Sequence, residues 1–181
     1  MHAPQYVPHY TLDDFQNWDG KWELWNGIPV AMTPSPFGSH QWISGQILSQ
    51  FNQQIQLQQC NRCYALSETD WIIEADIVVR PDVMLICGDF PERYIESPPC
   101  VVVEVLSEST EDKDRTAKFA LYEANAVAYY LIADPKTKQI AAYQLQSGRY
   151  EPIEFVDQLQ LSIEDCCQVQ LDVTQVFRHG Q

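Results

Sequence analysis

Residues 80–118 read RPDVMLICGDFPERYIESPPCVVVEVLSESTEDKDRTAK, and the remainder of the chain can be placed around them. Two short apolar segments, VMLIC (83–87) and CVVVEVL (100–106), are typical of buried strands. Asp82 precedes the first segment and Glu104 lies within the second. An acid among valines is costly to bury as an unpaired charge, so each carboxylate requires a partner.

Side-chain alternation places each acid on a defined face of its strand. Asp82 shares a face with Met84, and Glu104 shares one with Val102. If the two strands are neighbours, the carboxylates converge near one end of the sheet and repel each other unless a cation lies between them. Mg²⁺ suits such a pair because it binds one or two carboxylates and keeps several waters. The spacing therefore predicts a site for a hard divalent cation, Mg²⁺ or Mn²⁺, on Asp82 and Glu104.

Lys118 follows Glu104 on a predicted helix and lies four residues from both Asp114 and Tyr122. Two interpretations are open. Lys118 is either a surface lysine in a weak exposed pair with Asp114, or an ammonium beside a metal-bound water, where it would orient or help deprotonate the nucleophile and stabilise phosphate charge. Spacing alone favours the surface interpretation. Lys113, nearer the start of the helix, is expected to be solvated.

Composition limits the class of protein. The 181 residues are 45% apolar, which predicts a single domain (1–181) with one sizeable core and a loosely held segment at 1–10. No apolar run is long enough for a transmembrane helix, and the N-terminus does not resemble a secretory signal, so we expect no membrane partner and a cytoplasmic location. The net charge of −14 opposes non-specific binding to nucleic acid.

The cysteines give no strong metal motif. Cys87 and Cys100 lie in or beside apolar strands and are interpreted as small core residues. Cys60 and Cys63 form one CxxC, without a second CxxC or a nearby histidine pair to complete a zinc site. We therefore expect reduced thiols throughout, the remaining two being Cys166 and Cys167.

Periodicity predicts the N-terminal elements. Thr11 caps a short helix, and Asn26-Gly27 is the strongest hairpin signal in the chain. The motif Pro34-Ser35-Pro36 ends the second hairpin strand, and apolar residues at helical spacing predict a helix from about Ser39. His40 lies in its first turn, where a single histidine is more often a surface or capping residue than a ligand.

The C-terminal half predicts one helix, several strands and a short final helix. The helix after Glu104 is expected to bury a stripe formed by Ala117, Ala120, Leu121 and Ala124. Strands are predicted at AYYLIAD (128–134), IAAYQLQ (140–146), RYEPIEF (149–155) and around residues 159–163, and VTQVF (173–177) is the final helix.

Three segments together, RPDVMLIC, PPCVVVEVLSEST and DRTAKFALYEANAVAYYLIADP, resemble an endonuclease family formerly catalogued as a domain of unknown function. That family lies within the restriction-endonuclease-like PD-(D/E)XK nuclease superfamily. WELWNG and the helix containing His40 resemble the start of the family, so the likeness covers roughly residues 10–160. The resemblance implies an α/β restriction-endonuclease-like core, with a mixed, mostly antiparallel central sheet flanked by helices and, before it, the N-terminal hairpin.

The resemblance also implies site residues. Asp82 matches the acid of the Pro-Asp motif, and Glu104 matches the second acid. The superfamily pattern has a lysine two residues later, where this chain has Leu106; in this family the lysine is on the following helix, which Lys118 matches. Glu23 matches an additional acid near such sites. Every implied position is filled, which argues against a decayed site.

The leading hypothesis is a Mg²⁺-dependent endonuclease that hydrolyses DNA phosphodiester bonds. The acidic composition and the lack of a helix-turn-helix segment oppose it, unless basic residues gather around the site. The alternative is a non-catalytic binding or assembly protein with the same fold. Its candidate homodimer surface comprises the loop at 89–99 and an aromatic N-terminal part with Trp18, Trp22 and Trp25, although ordinary core packing is the simpler account of these tryptophans. Hydrolysis of RNA or of a nucleotide lacks a supporting stacking motif.

Overall fold

The helices of the chain are short except for one. A computed structural model describes residues 7–32, 38–163 and 166–178. Its helices are α1 (Leu12–Phe15), α2 (Gly38–Leu57), α3 (Glu111–Lys113), α4 (Phe119–Ala124) and α5 (Val173–Val176), with a π-helical turn at Asp114–Lys118 between α3 and α4.

Strands make up most of the described structure. In chain order they are β1 (Trp22–Trp25), β2 (Ile28–Ala31), β3 (Cys63–Ser67), β4 (Trp71–Glu74), β5 (Ile77–Val79), β6 (Val83–Cys87), β7 (Val101–Val105), β8 (Tyr129–Asp134), β9 (Gln139–Gln146), β10 (Arg149–Pro152), β11 (Gln158–Ile163) and β12 (Cys167–Asp172). They form a six-stranded sheet in the order β10-β9-β8-β7-β6-β3, a four-stranded sheet in the order β2-β1-β5-β4, and the hairpin β11-β12.

The central sheet confirms the predicted architecture. Within its described strands β7 and β8 pair in parallel, and the other neighbours pair antiparallel. A parallel pair requires a crossover, and the helical segment at 111–124 supplies it. All five residues of β7 are buried, because both faces of the sheet are covered.

The two faces of the central sheet carry separate cores. One face packs against α2 and the β11-β12 hairpin, through residues such as Ile47, Val103 and Leu161. The other face carries an aromatic core that includes Trp71, Tyr122 and Tyr130. Asp82, directly before β6, and Glu104 of β7 have the same parity as Met84 and Val102, which belong to the aromatic core, so the acids lie on that face.

The N-terminal hairpin forms as predicted. β1 and β2 pair antiparallel with Trp25 opposite Ile28, and the two turn residues Asn26 and Gly27 have φ values of 48° and 75°. Positive φ at both positions is the requirement of a type I′ turn, which Asn-Gly satisfies at low cost. The predicted strand break at Pro34-Ser35-Pro36 lies outside the described residues, as does most of the segment 1–10 that was expected to be loosely held.

The N-terminal tryptophans belong to the fold rather than to an open surface. Trp18 packs edge-on against Phe15 and Trp22, with ring centroids 5.6 and 6.0 Å apart. Trp25 donates a hydrogen bond to Glu23. Ordinary core packing therefore accounts for them, and they offer no support for a homodimer surface.

Two expectations about the C-terminal half are wrong. β12 was not predicted, although its alternating pattern buries Val169 and Leu171 against the core. Most of the predicted apolar stripe of the helix after Glu104 does not face inward, because Ala117, Ala120 and Ala124 are exposed. Its fourth member, Leu121, is partly buried against the aromatic core. The buried positions of that segment are Asp114, Lys118 and Tyr122.

The expectation of reduced thiols throughout is also wrong. Cys60 and Cys167 form a disulfide, which joins the residues after α2 to the start of β12 across 107 positions of sequence. The other four cysteines are free thiols. Within the described residues, no helix combines the length and the hydropathy needed to cross a bilayer.

Candidate active site

Strand register brings the two predicted acids together. β6 and β7 pair with Val83 opposite Val103 and Met84 opposite Val102, so the same register extended by one residue places Asp82 opposite Glu104. The Val105 amide donates to Oδ2 of Asp82 at 2.7 Å, which fixes that carboxylate directly before the first residue of β6. The convergence expected from side-chain alternation is therefore present.

Glu104 is buried, and one of its two carboxylate oxygens accepts two hydrogen bonds. Its Oε1 accepts hydrogen bonds from Lys118 Nζ and from the Tyr122 hydroxyl, both at 2.7 Å. Burial raises the pKa of Glu104 well above its ordinary value; Lys118 opposes this effect, and the charges of Asp82 and Asp114 add to it. Glu104 therefore disfavours the ionised form unless a positive charge lies beside it.

The π-helical turn delivers Lys118 to this site. Asp114, Lys118 and Tyr122 occur at intervals of four residues, and the wider π turn keeps all three side chains on the buried side. The Tyr130 hydroxyl donates to the Asp114 carbonyl at 2.8 Å and supports the turn from β8. The surface interpretation of Lys118 is wrong, since its side chain is only 5% exposed.

Lys118 is surrounded by carboxylates. Its Nζ lies 2.7 Å from Glu104, 3.3 Å from Glu23 and 3.7 Å from Asp114. Burial lowers the pKa of Lys118, but these three negative charges outweigh burial and raise it above the ordinary lysine value. The ammonium therefore keeps its proton across the physiological range.

Glu23 reaches the site from the N-terminal hairpin. Oε2 accepts from Lys113 Nζ at 2.8 Å and from Trp25 Nε1 at 3.1 Å, while Oε1 accepts from the Arg80 amide at 3.1 Å. Burial acts to raise the pKa of Glu23, but Lys118 and Lys113 together lower it to about 2. Glu23 is therefore an ionised group that holds both lysines in place.

Two expectations about single residues are corrected here. His40 is buried rather than a surface residue, and its Nε2 lies 3.2 Å from Asp82 Oδ2. Burial acts to lower the pKa of His40, but the bond and charge of Asp82 raise it overall. Lys113 is held by Glu23 with a side chain 27% exposed, so it is part of the site rather than a solvated lysine.

The structure also adds residues that the sequence did not identify. Asp114 was expected only as a weak surface partner of Lys118, yet it is buried and its Oδ1 makes no hydrogen bond among the described residues. Arg80 makes two bonds to Asp70, at 2.6 and 2.9 Å, and so anchors the start of Pro81-Asp82. The spacing of four between Asp114 and Lys118 was the available signal, but it is equally typical of a surface pair.

These groups line one cleft of about 440 Å³. Its walls also carry the hydroxyl residues Ser107, Ser109 and Thr110. A larger cavity, of about 730 Å³, lies between β9, the segment after β10 and α5, and it contains none of the clustered acids. The smaller cleft is the candidate site because the buried ionisable groups meet there.

The donor set fits a hard divalent cation. Among the described residues the cleft is lined by five acids, which are Glu68, Asp82, Glu104, Glu108 and Asp114, and by four basic residues, which are Lys21, Arg80, Lys113 and Lys118. The buried Glu23 adds a sixth carboxylate through its contacts with Lys113 and Lys118. Burial and the neighbouring negative charges also raise the pKa of Asp114, even though Lys118 opposes them. Such an excess of negative charge, offered by carboxylate oxygens, is what Mg²⁺ or Mn²⁺ requires.

Comparison with known proteins agrees with this fold. Residues 8–174 match the model of the Uma2 family, which is described as "Putative restriction endonuclease". A crystal structure from Anabaena variabilis, described as "a putative nuclease belonging to DUF820", superimposes with a TM-score of 0.71; it is 18% identical over 92% of this chain and 97% of its own, a similarity of fold.

A curated relative covers a shorter region. The "Uncharacterized protein slr1290" of Synechocystis sp. is 41% identical over 75 residues. That match spans 40% of this chain and 40% of the relative.

Proposed function

The chain belongs to the Uma2 family, and from this premise we propose that it is a Mg²⁺-dependent endonuclease that hydrolyses DNA phosphodiester bonds. A nuclease-like function follows from the family; the metal, the DNA substrate and the residue roles are our proposal. The observation that supports it best is the contact of 2.7 Å between Lys118 and Glu104, with Asp82 in register on the neighbouring strand.

Asp82 and Glu104 would hold the cation. Glu104 lies in β7 and Asp82 directly precedes β6, and both line the cleft, so substrate phosphate can approach from solvent. When bound, the cation would acidify a coordinated water and neutralise the phosphate charge. His40 and the Val105 amide contact Asp82, and the Tyr122 hydroxyl donates to Glu104. These contacts fix the orientations of both carboxylates.

Lys118 would place the attacking water and offset the negative charge that develops on phosphate. Its ammonium is buried and kept protonated by three carboxylates, so it acts as a fixed positive charge rather than as a base. Glu23 and Lys113 contribute by position: Glu23 contacts both lysines and so maintains the distance between them. Removal of Lys118 is expected to cost about 100-fold or more in cleavage rate.

Cleavage of supercoiled plasmid and of single-stranded DNA, with and without Mg²⁺ or Mn²⁺, tests the proposal. We expect wild type to cut only with a divalent ion, and Asp82→Asn, Glu104→Gln and Lys118→Met to lose cutting. Lys138→Met is the matched control, because Lys138 is exposed and lies outside the cleft. Cutting that persists in Asp82→Asn or Glu104→Gln would refute the assignment.

Thermal unfolding shows whether a variant has lost Mg²⁺ binding or has lost its folded structure. Mg²⁺ should raise the melting temperature of wild type and of Lys138→Met, and it should leave Glu104→Gln unchanged. Stabilisation by Mg²⁺ without cleavage of any DNA would favour the alternative, a binding or assembly protein with a nuclease fold. A homodimer stays a prediction.

A further inference from the structure

Three free thiols meet at the end of the sheet away from the acidic cleft. Cys63 Sγ lies 2.6 Å from Cys87 Sγ and 2.7 Å from Cys166 Sγ. The three sulfur atoms all lie within 4.8 Å of one another. The proposed nuclease mechanism uses none of them.

The fold creates this group from distant parts of the chain. Cys63 begins β3 and Cys87 ends β6, and the antiparallel register places them directly opposite each other. Cys166 precedes β12 and arrives from 103 residues away in sequence. The neighbouring disulfide between Cys60 and Cys167 ties the end of α2 to β12, so the third thiol is held against the first two.

We propose that Cys63, Cys87 and Cys166 form a three-thiolate site for Zn²⁺. A zinc–sulfur bond of about 2.3 Å in tetrahedral geometry separates ligand sulfur atoms by about 3.8 Å. The present contacts need to open by only about 1 Å to reach that spacing. On binding, three S–H bonds break, three Zn–S bonds form, and the three protons pass to solvent.

The surroundings provide an entry path and leave a coordination position open. A cleft of about 440 Å³ reaches Cys87 and Cys166 from solvent and is lined also by Arg62 and Gly88. Arg62 lies 3.7 Å from Asp89 in an exposed ion pair, so the cleft carries little net charge from this residue. The fourth zinc ligand can thus be Cys100, whose thiol hydrogen-bonds that of Cys87, or water that enters through the cleft.

Sulfur ligands select against the ion proposed for the acidic cleft. Mg²⁺ prefers oxygen donors, whereas thiolates select Zn²⁺ and other thiophilic ions. The two sites therefore differ in chemistry as well as in location, and removal of zinc need not remove magnesium. Failure of one proposal does not imply failure of the other.

Metal content of the full chain tests the zinc site. Protein is purified without a metal-affinity step and without added thiols, and its metals are measured by mass spectrometry. We expect about one zinc ion per chain, because three thiolate ligands bind zinc tightly enough to retain it during purification. Cys87→Ser and Cys166→Ser should lose the ion, and the double variant Cys60→Ser/Cys167→Ser, which removes the disulfide but none of the three ligands, should retain it.

Cobalt replacement of the wild type gives a readout that does not depend on a folded variant. Co²⁺ added to the metal-free chain should produce a near-ultraviolet thiolate-to-cobalt band and visible bands of tetrahedral coordination, and Zn²⁺ should abolish both. Absence of these bands, copper or iron in place of zinc, or a peptide map that joins Cys63 to Cys87 or Cys166 by a disulfide would overturn the proposal. Zinc retained by both single variants would overturn it as well.

Discussion

Glu23 shows how a buried carboxylate can remain ionised. Its side chain has no exposed surface, and burial alone would raise its pKa. Lys118 and Lys113 outweigh that effect and lower the pKa from 4.5 to about 2. Removal of one partner from a buried charge pair costs more than the pair contributes, because the remaining charge is left without a counterion.

These opposing effects on the pKa of Glu23 predict that Glu23→Gln lowers the free energy of unfolding by an amount that depends on pH. A carboxyl whose pKa is lower in the folded chain stabilises the fold above its unfolded pKa, and that stabilisation is lost as pH falls toward the folded pKa. A fall from 4.5 to about 2 corresponds to about 3 kcal/mol, at about 1.4 kcal/mol per pH unit. Urea unfolding should show wild type more stable than Glu23→Gln by about this amount at pH 7.

The same measurement at low pH provides the check. The difference between wild type and Glu23→Gln should shrink between pH 4.5 and pH 2 and be small at the lower end. A difference that stays constant across this window would show that packing, and not charge, explains the cost of the substitution.

At the scale of elements, the π-helical turn decides which residues face the site. An α-helix with apolar Ala117, Ala120 and Ala124 inward would present lysine to solvent, but the structure exposes these alanines. Alanine gains little by burial, whereas Lys118 and Tyr122 together satisfy one oxygen of Glu104. The polar contacts and the ring of Tyr122 therefore determine the orientation.

The Tyr130 hydroxyl binds the π-helical turn, and Tyr130→Phe tests how much that hydrogen bond contributes to stability and to cleavage. The hydroxyls of Tyr130 and Tyr150 both donate to a buried backbone carbonyl, of Asp114 at 2.8 Å and of Val127 at 3.0 Å. Each Tyr→Phe change should lower the free energy of unfolding by about 1–2 kcal/mol. Only Tyr130→Phe should also lower the cleavage rate, by about tenfold to a hundredfold, because only its partner residue belongs to the turn that carries Lys118.

Tyr150→Phe is thus the matched control for lost stability. Urea unfolding and plasmid cleavage are measured on both variants. Equal losses of cleavage in the two would mean that stability, rather than the position of the turn, limits the activity.

At the scale of the whole molecule, the net charge of −14 constrains how DNA could bind. Many of the basic side chains are paired with acids: Arg80 with Asp70, Lys113 with Glu23, and Arg149 with Glu123. The cleft itself is lined by only four basic residues among those described, which are Lys21, Arg80, Lys113 and Lys118. Few positive charges are thus available for phosphate contacts.

This charge distribution predicts weakly salt-dependent DNA binding that requires a divalent ion. With at most a few phosphate contacts, log K should fall with log salt at a slope shallower than about −3. Fluorescence anisotropy of a labelled duplex in Ca²⁺ measures it. Lys21→Met should flatten the slope by about 1, and Lys138→Met should not change it. Strong binding in EDTA, or a much steeper slope, would contradict the prediction.

Sequence patterns predicted the architecture well where local chemistry is decisive. The Asn-Gly turn and the apolar strand at 83–87 form as expected, and the strand predicted at 100–106 forms at 101–105. The first helix starts after Thr11 as predicted, with the Thr11 amide and hydroxyl donating to Asp14. β12 was missed because its alternation begins directly after a cysteine pair within an otherwise polar segment.

The site was predictable only where side-chain alternation or family resemblance applied. Asp82 and Glu104 could be placed together because a strand has a period of two residues, and Glu23 and Lys118 came from the resemblance. His40 and Lys113 could not be assigned, because a single histidine or lysine in a helix has no pattern that distinguishes a buried partner from a solvated one. Their roles depend on which carboxylate lies opposite, Asp82 or Glu23.

The amino-acid sequence by itself determined the strands, the hairpin and the pairing of two acids, since these follow from steric and periodic rules over a few residues. Tertiary structure alone decided the inward orientation of Lys118 and the meeting of Cys63, Cys87 and Cys166. These depend on contacts between segments up to 103 residues apart. Such contacts depend on how the strands pair and how the sheets pack, so they cannot be predicted from a short segment of sequence.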